Sequence, residues 1–171
     1  MNRLTTKNQT IIMEVQMSNT VKMVKELVDK HGRERSSLMA ILQGVIDRKK
    51  YLSDETLTEI AREMDLSAAQ VYGTASFYTF LDTEPRGEYV IRVCRTITCD
   101  MKGKREILHT LEDILKVNVG ETTSDNKFTL LETNCLGWCH KGPVMLINNK
   151  AYTELTPEKV KDIITEIKHN S

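Results

Sequence analysis

Four cysteines, arranged as two closely spaced pairs, are the residues of this sequence best suited to chemistry. Four residues separate Cys94 from Cys99, and three separate Cys135 from Cys139. The first residues of the chain lack the apolar stretch of a secretory signal, so a reducing compartment and free thiols are expected instead of disulfides. Reduced thiolates at such short spacings are ligands for a metal ion or an iron–sulfur cluster.

The spacing by itself leaves two kinds of centre open. Structural zinc commonly takes Cys-x2-Cys pairs that wrap one ion, whereas longer loops suit a 2Fe-2S cluster, in which each iron takes two cysteines. Gly137 and Gly142 allow close backbone approach, and Arg95, His140 and Lys141 could supply positive charge near an anionic cluster or could simply be solvated. Spacing therefore favours iron–sulfur only modestly, and zinc remains the alternative.

Composition narrows the classes of partner. The 171 residues include 24 Lys and Arg against 24 Asp and Glu, so no strong net charge points to nucleic acid. No run approaches the roughly 18 uninterrupted apolar residues of a membrane span, so direct membrane insertion is not expected. We expect a cytoplasmic protein.

The first half of the chain has a helical pattern. Apolar residues recur at three- and four-residue intervals from Thr20 to about Phe80, Gly32 is placed to end the first helix, and Ser53 and Ser67 are placed to begin two later ones. The sequence predicts a disordered tail over residues 1–19 and a small helical bundle domain over residues 20–81. The aromatic residues of this half are Tyr72, Phe77, Tyr78 and Phe80. Packing between the two halves of the chain is the commoner explanation for such residues, and a surface for a partner protein is the alternative.

The second half changes to a mixed pattern after the charged, Pro- and Gly-containing segment 82–88. Alternation predicts a strand over residues 89–93, apolar spacing predicts a helix over 104–117, and a second strand is predicted over 128–133. A hairpin over 144–152 and a final helix from Pro157 follow. The predicted fold class is α+β, with a β-α-β-β-α domain over residues 82–171.

Each cysteine pair follows directly on a predicted strand, which places both pairs on loops at strand ends. The carboxyl ends of neighbouring parallel strands form one edge of a sheet, so a single crossover helix could bring the second pair beside the first. We expect the four thiolates to converge.

These motifs resemble the 24-kDa-type subunit family of respiratory complex I and its relatives in NAD(P)-linked hydrogenases and formate dehydrogenases. The similar stretches are YLSDETLTEIAREMDLSAAQVYGTASFYTF at 51–80, VCRTITCDMKG at 93–103 and GETTSDNKFTLLETNCLGWC at 120–139. The sequence differs from the family around the last cysteine, where Trp138 and the run 140–143 (HKGP) are unusual. These differences concern the surroundings of the cysteines and not the cysteines themselves.

The resemblance implies a thioredoxin-like second domain that carries one 2Fe-2S cluster on Cys94, Cys99, Cys135 and Cys139. It also implies docking on a subunit that binds flavin and NAD(P)H, with FMN, NAD(P) and further iron–sulfur clusters held by partner subunits only. A further iron–sulfur or hydrogenase subunit is a second expected partner. No residue of this chain is assigned a role as acid, base or nucleophile.

The sequence therefore leaves three candidate functions. The first is an electron-transfer subunit of an NAD(P)-linked iron hydrogenase, electron-bifurcating types included. The second is the equivalent subunit of NADH:quinone oxidoreductase (complex I), and the third is a zinc-stabilised interaction module without redox activity.

Overall fold

A computed structural model describes residues 19–169, and these divide into two units, one ending at Pro85 and the other beginning at Arg86. Residues 1–18 of the predicted tail lie outside the described part of the chain. The division falls inside the segment 82–88 that carries the change of sequence pattern.

The first unit is helical, as its apolar periodicity predicts. Its helices are α1 (19–31), α2 (Leu38–Lys49), α3 (Asp54–Glu63) and α4 (Ala68–Phe77). Their buried faces form one apolar core: Val24, Leu27, Val28, Leu38, Ile41, Leu42, Val45, Leu52, Leu57, Ile60, Ala61, Met64, Val71, Ala75 and Leu81. The three- and four-residue spacing seen in the sequence is therefore the core face of each helix.

The predicted helix ends are confirmed. The Ser53 side chain accepts a hydrogen bond from the Thr56 backbone N–H at 3.3 Å, and Ser67 and Gln70 form a reciprocal capping box. Gly32 follows α1 with φ +90°, a left-handed conformation that glycine adopts without strain. These caps satisfy backbone groups that would otherwise lack partners at the helix ends.

The second unit is a four-stranded sheet covered by helices. Its elements are β1 (Tyr89–Cys94), α5 (Ile97–Asp100), α6 (Lys104–Leu115), β2 (Phe128–Thr133), β3 (Met145–Ile147), β4 (Lys150–Tyr152) and α7 (Pro157–His169). The spatial order is β2-β1-β3-β4, with β1 parallel to β2 and antiparallel to β3. The predicted mixed helix and sheet class is confirmed. The observed order of elements has one more strand than the predicted order, β-α-β-β-α, because both arms of the hairpin are strands.

The burial of two segments does not follow from the sequence pattern. The strand predicted over residues 89–93 is present as β1, but its burial does not alternate, since all of its residues after Tyr89 are buried. The aromatic side chains of Tyr72, Phe77, Tyr78 and Phe80 are not part of the core of the helical unit, since each is between 47% and 77% exposed.

Apolar side chains on one face of the sheet pack against α6 and α7. Ile91 and Val93 of β1 and Phe128 and Leu130 of β2 belong to this core. By strand alternation, Cys94 and Thr133 point to the opposite face. Cys94 therefore lies on the face of the sheet opposite to this core.

Candidate metal centre

The two cysteine pairs lie at the same edge of the sheet because β1 and β2 are parallel and in register. Cys94, the last residue of β1, is paired with Thr133, the last residue of β2, and Cys135 follows two residues later. The parallel return of the second pair, expected from one crossover helix, is confirmed. The backbone N–H of Arg95 donates to the Thr133 carbonyl at 2.8 Å and continues the pairing beyond the strands.

Contrary to the prediction, the cysteines are not all on loops. Cys99 lies in the one-turn helix α5, and Cys139 begins a 3-10 helix that runs from Cys139 to Lys141. Sequence periodicity could not reveal these elements because each is about one helical turn long. Cys94 and Cys99 are buried, whereas Cys135 is exposed and Cys139 is half-buried.

Within the second pair, the sulfurs are close enough to share one ion after a small adjustment. Cys135 Sγ and Cys139 Sγ are 3.3 Å apart. Two thiolates on one tetrahedral ion with metal–sulfur bonds of about 2.3 Å would lie about 3.8 Å apart. Among residues 19–169, no three Cys, His, Asp or Glu side chains are arranged around a single metal position.

The Cys94 thiol connects the two pairs. Burial has the largest single effect and raises its pKa, but hydrogen bonds from Thr96, from the Leu136 backbone N–H and from Cys99 together lower the pKa below its ordinary value. Leu136 belongs to the second cysteine loop, so this contact joins the loop to the end of β1. The Thr96 hydroxyl lies 3.2 Å from Cys94 Sγ.

The thiols of Cys99 and Cys139 have their pKa values raised. Burial is the main cause for Cys99, followed by its interaction with Cys94. The hydrogen bond to Cys135 is the main cause for Cys139, and charge on Cys99 and on Cys94 adds to it. Charge on the first pair therefore contributes to the raised pKa of a thiol in the second pair.

Backbone and cationic groups support the second loop. The N–H of Gly137, which has φ +89°, donates to Cys135 Sγ at 3.4 Å. The Lys102 ammonium donates to the carbonyls of Cys139 and His140 at 3.2 and 3.0 Å. Lys102 was missed in the sequence because nothing in residue spacing indicates a contact 37 residues away along the chain.

Two other predicted neighbours of the cysteines have separate roles. Arg95 donates from Nε to the Asn134 side-chain oxygen at 3.0 Å. Gly142 is closely packed, since an added Cβ there would lie 3.2 Å from Cys99 Sγ and 3.3 Å from Lys102 Cδ. The expectation that Gly142 permits close approach is confirmed, and the group that approaches is a cysteine sulfur.

The chain is similar in sequence to components of two oxidoreductases. Over 134 residues the chain is 36% identical to a component of the NADH-quinone oxidoreductase of Buchnera aphidicola, covering 78% of this chain and 83% of that one. Over 146 residues it is 34% identical to the HndA component of the NADP-reducing hydrogenase of Solidesulfovibrio fructosivorans, covering 85% and 83%.

A solved structure confirms the fold. A chain of the NAD+-reducing [NiFe]-hydrogenase in the H2-reduced state superposes with a TM-score of 0.68 at 23% identity, over 78% of this chain and 22% of that chain. The family model of the thioredoxin-like [2Fe-2S] ferredoxins matches residues 24–168, which include all four cysteines. The chain therefore belongs to the thioredoxin-like [2Fe-2S] ferredoxin family.

Proposed function

We propose that Cys94, Cys99, Cys135 and Cys139 hold the one 2Fe-2S cluster of this family, and that the chain transfers single electrons as a subunit of a larger oxidoreductase. The observation that carries the proposal is that the two cysteine pairs lie at the same carboxyl edge of β1 and β2. The chain contains four cysteines, which is the number that a fully thiolate-ligated 2Fe-2S cluster needs.

When bound, the cluster would supply one-electron oxidation and reduction, and this chain supplies its environment. Burial of Cys94 and Cys99 excludes water from one side of the site. The Thr96 hydroxyl and the Leu136 N–H donate toward Cys94, which stabilises negative charge on its sulfur. Lys102 holds the second loop and adds positive charge near it.

Metal analysis and spectroscopy test the ligand set. Anaerobically purified protein is expected to contain two irons and two sulfides per chain and to give an EPR signal upon one-electron reduction. A colourless protein with one zinc per chain would instead support the zinc-stabilised interaction module.

A matched pair of variants tests the individual assignment. Cys139→Ser should lower cluster content several-fold, because a hydroxyl is a much poorer iron ligand than a thiolate. His140→Ala should leave it unchanged, since the four cysteines complete the site without the adjacent imidazole. A normal cluster in the Cys139→Ser protein would refute the ligand set.

We further propose that the partner is a flavin-bearing, NAD(P)H-binding subunit and that the assembly is a cytoplasmic NAD(P)-linked iron hydrogenase. The names of the relatives support an oxidoreductase complex: one is a component of NADH-quinone oxidoreductase and the other a component of an NADP-reducing hydrogenase. The unusual loop around Trp138 favours the hydrogenase. In residues 19–169, no helix is long and apolar enough to cross a membrane.

Purification of the native complex through a tag on this chain distinguishes the two contexts. A hydrogenase is expected to copurify with flavin and to reduce NAD+ or NADP+ with H2. Copurification of integral membrane subunits together with NADH-dependent quinone reduction would instead support complex I.

A further inference from the structure

Thr133 carries a buried hydroxyl that the described structure leaves without a partner. The residue ends β2 and is 3% exposed, and its Oγ1 is covered but has no hydrogen-bond partner. A buried hydroxyl normally finds a partner, because loss of its contact with water is otherwise uncompensated. Such a group close to a cofactor site needs a physical explanation.

A second threonine on the same strand shows how the sequence satisfies a buried hydroxyl by protein groups alone. Thr129 lies four residues before Thr133, on the same face of β2, and is fully buried. Its Oγ1 accepts from the Gly87 backbone N–H at 2.7 Å and lies 2.7 Å from Thr122 Oγ1. The two hydroxyls therefore differ in partners although they share a strand, a face and a degree of burial.

The position of Thr133 directs its side chain toward the cysteine site. Its neighbour Glu132 pairs with Lys104 of α6 at 2.9 Å, so Thr133 faces the other side of the sheet. Thr133 is in register with Cys94 on the adjacent parallel strand, about 4.8 Å away, and in-register residues share a face. The hydroxyl thus lies beside the first cysteine and two residues before the third.

We infer that the Thr133 hydroxyl donates a hydrogen bond to a sulfur of the bound cluster and thereby raises the reduction potential. The inference rests on the ligand set proposed above. A hydrogen bond to sulfur is stronger when the cluster carries the extra electron, so the donor favours the reduced state.

Thr133→Val removes the hydroxyl while nearly preserving shape. We expect this variant to assemble the cluster and to have a lower midpoint potential than the wild type in a dye-mediated redox titration of the full-length chain. Thr133→Ser keeps a donor and should return the potential toward the wild-type value.

The cluster-free protein provides the second readout. Thr133→Val should unfold at the same urea concentration as the wild type or at a higher one, since no protein hydrogen bond is lost. Thr129→Val should unfold at a lower concentration, because it leaves the Gly87 N–H and the Thr122 hydroxyl without their partner. When loaded, the Thr129 variant should keep the wild-type potential.

Two results would overturn the inference but not the ligand set. One is a wild-type potential in Thr133→Val, as expected if the hydroxyl binds only a buried water. The other is a loss of stability in the cluster-free Thr133→Val protein that equals the loss in Thr129→Val. Absence of a 2Fe-2S cluster from the wild-type chain would overturn the ligand set as well. Failure of the inference and failure of the proposed function are thereby distinguishable.

Discussion

Close packing around a single sulfur atom is the main constraint at the residue scale. Gly142 leaves room for Cys99 Sγ and for the Lys102 side chain, and even one added methyl group would come within 3.3 Å of both. Contacts this short are tolerated only if a neighbour moves. The Lys102 side chain is flexible, whereas Cys99 would be held in place if it ligates iron as proposed.

Gly142→Ala should therefore affect the loaded protein more than the cluster-free one. Without the cluster, the Cys99 side chain can rotate away, and we expect a loss of stability below about 1 kcal/mol, under the 1–3 kcal/mol typical of overpacked cores. In the loaded protein, the cluster should be lost several-fold faster to an iron chelator, as followed by its visible absorbance.

Gly73→Ala is the matched control, since an added Cβ at Gly73 meets nothing within 4 Å. It should leave the rate of cluster loss unchanged and slightly stabilise α4. Equal rates of cluster loss in the Gly142 variant and the wild type would show that Cys99 is not held against Gly142.

At the scale of secondary-structure elements, contacts between the short segments that carry the cysteines hold the site together. Lys102 lies two residues after the end of α5, and its side chain donates to the carbonyls of Cys139 and His140 in the 3-10 helix. Its ammonium therefore links the two cysteine segments in addition to the Leu136 contact with Cys94. The contact is exposed, which limits its contribution to stability.

Lys102→Met should loosen the second cysteine loop while the rest of the fold is preserved. We expect a loss of about 1 kcal/mol in the free energy of unfolding, since charged donors to backbone carbonyls are worth somewhat more than neutral ones but this one is exposed. Hydrogen exchange should become faster at residues 135–141, and Lys102→Arg should restore protection.

Lys168→Met is a matched control for Lys102→Met. Lys168 also donates to a backbone carbonyl, that of Ile114 at 3.4 Å, but it does so at the end of α7. Because α6 begins at the cysteine edge, its end near Ile114 lies at the opposite end of the sheet. Faster hydrogen exchange at residues 135–141 in the Lys168 variant would show that the effect of Lys102→Met on this loop does not come from the local contact.

The elements with strong local signals could be predicted from the sequence. Amphipathic spacing and capping residues define α2, α3 and α4, and the predicted strand over 128–133 coincides with β2. The predicted strand over 89–93 is present as β1, but its burial could not be predicted, because tertiary packing buries all of its residues after Tyr89. The prediction failed where an element is too short to show a period, as for α5.

The candidate site divides in the same way. The four cysteines and the flanking Gly137 and Gly142 are visible as residue types and spacings. Lys102 and Thr133 are not, because their roles depend on a contact between distant segments and on strand register. No spacing rule connects Lys102 with Cys139 before the fold is known.

For the whole molecule, three large apolar side chains close to the cysteines in sequence are exposed. Ile97 and Met101 are 70% and 82% exposed on successive turns of the segment that contains Cys99, and Trp138, next to Cys139, is 41% exposed. Large apolar side chains clustered on a surface are typical of interaction sites. We expect this apolar rim of Ile97, Met101 and Trp138 to contact the partner subunit proposed above, the one that binds flavin.

Met101→Glu should weaken assembly with that subunit at least tenfold, because it would bury an unpaired carboxylate in an apolar contact. The stability of the isolated chain should not change, since the Met101 side chain is already in water. Val119→Glu is the control: Val119 is 37% exposed but follows α6 at the sheet end away from the cysteines. Copurification and titration of the two tagged variants with the flavin-bearing subunit measure the difference, and equal affinities would show that the apolar rim is not the docking surface.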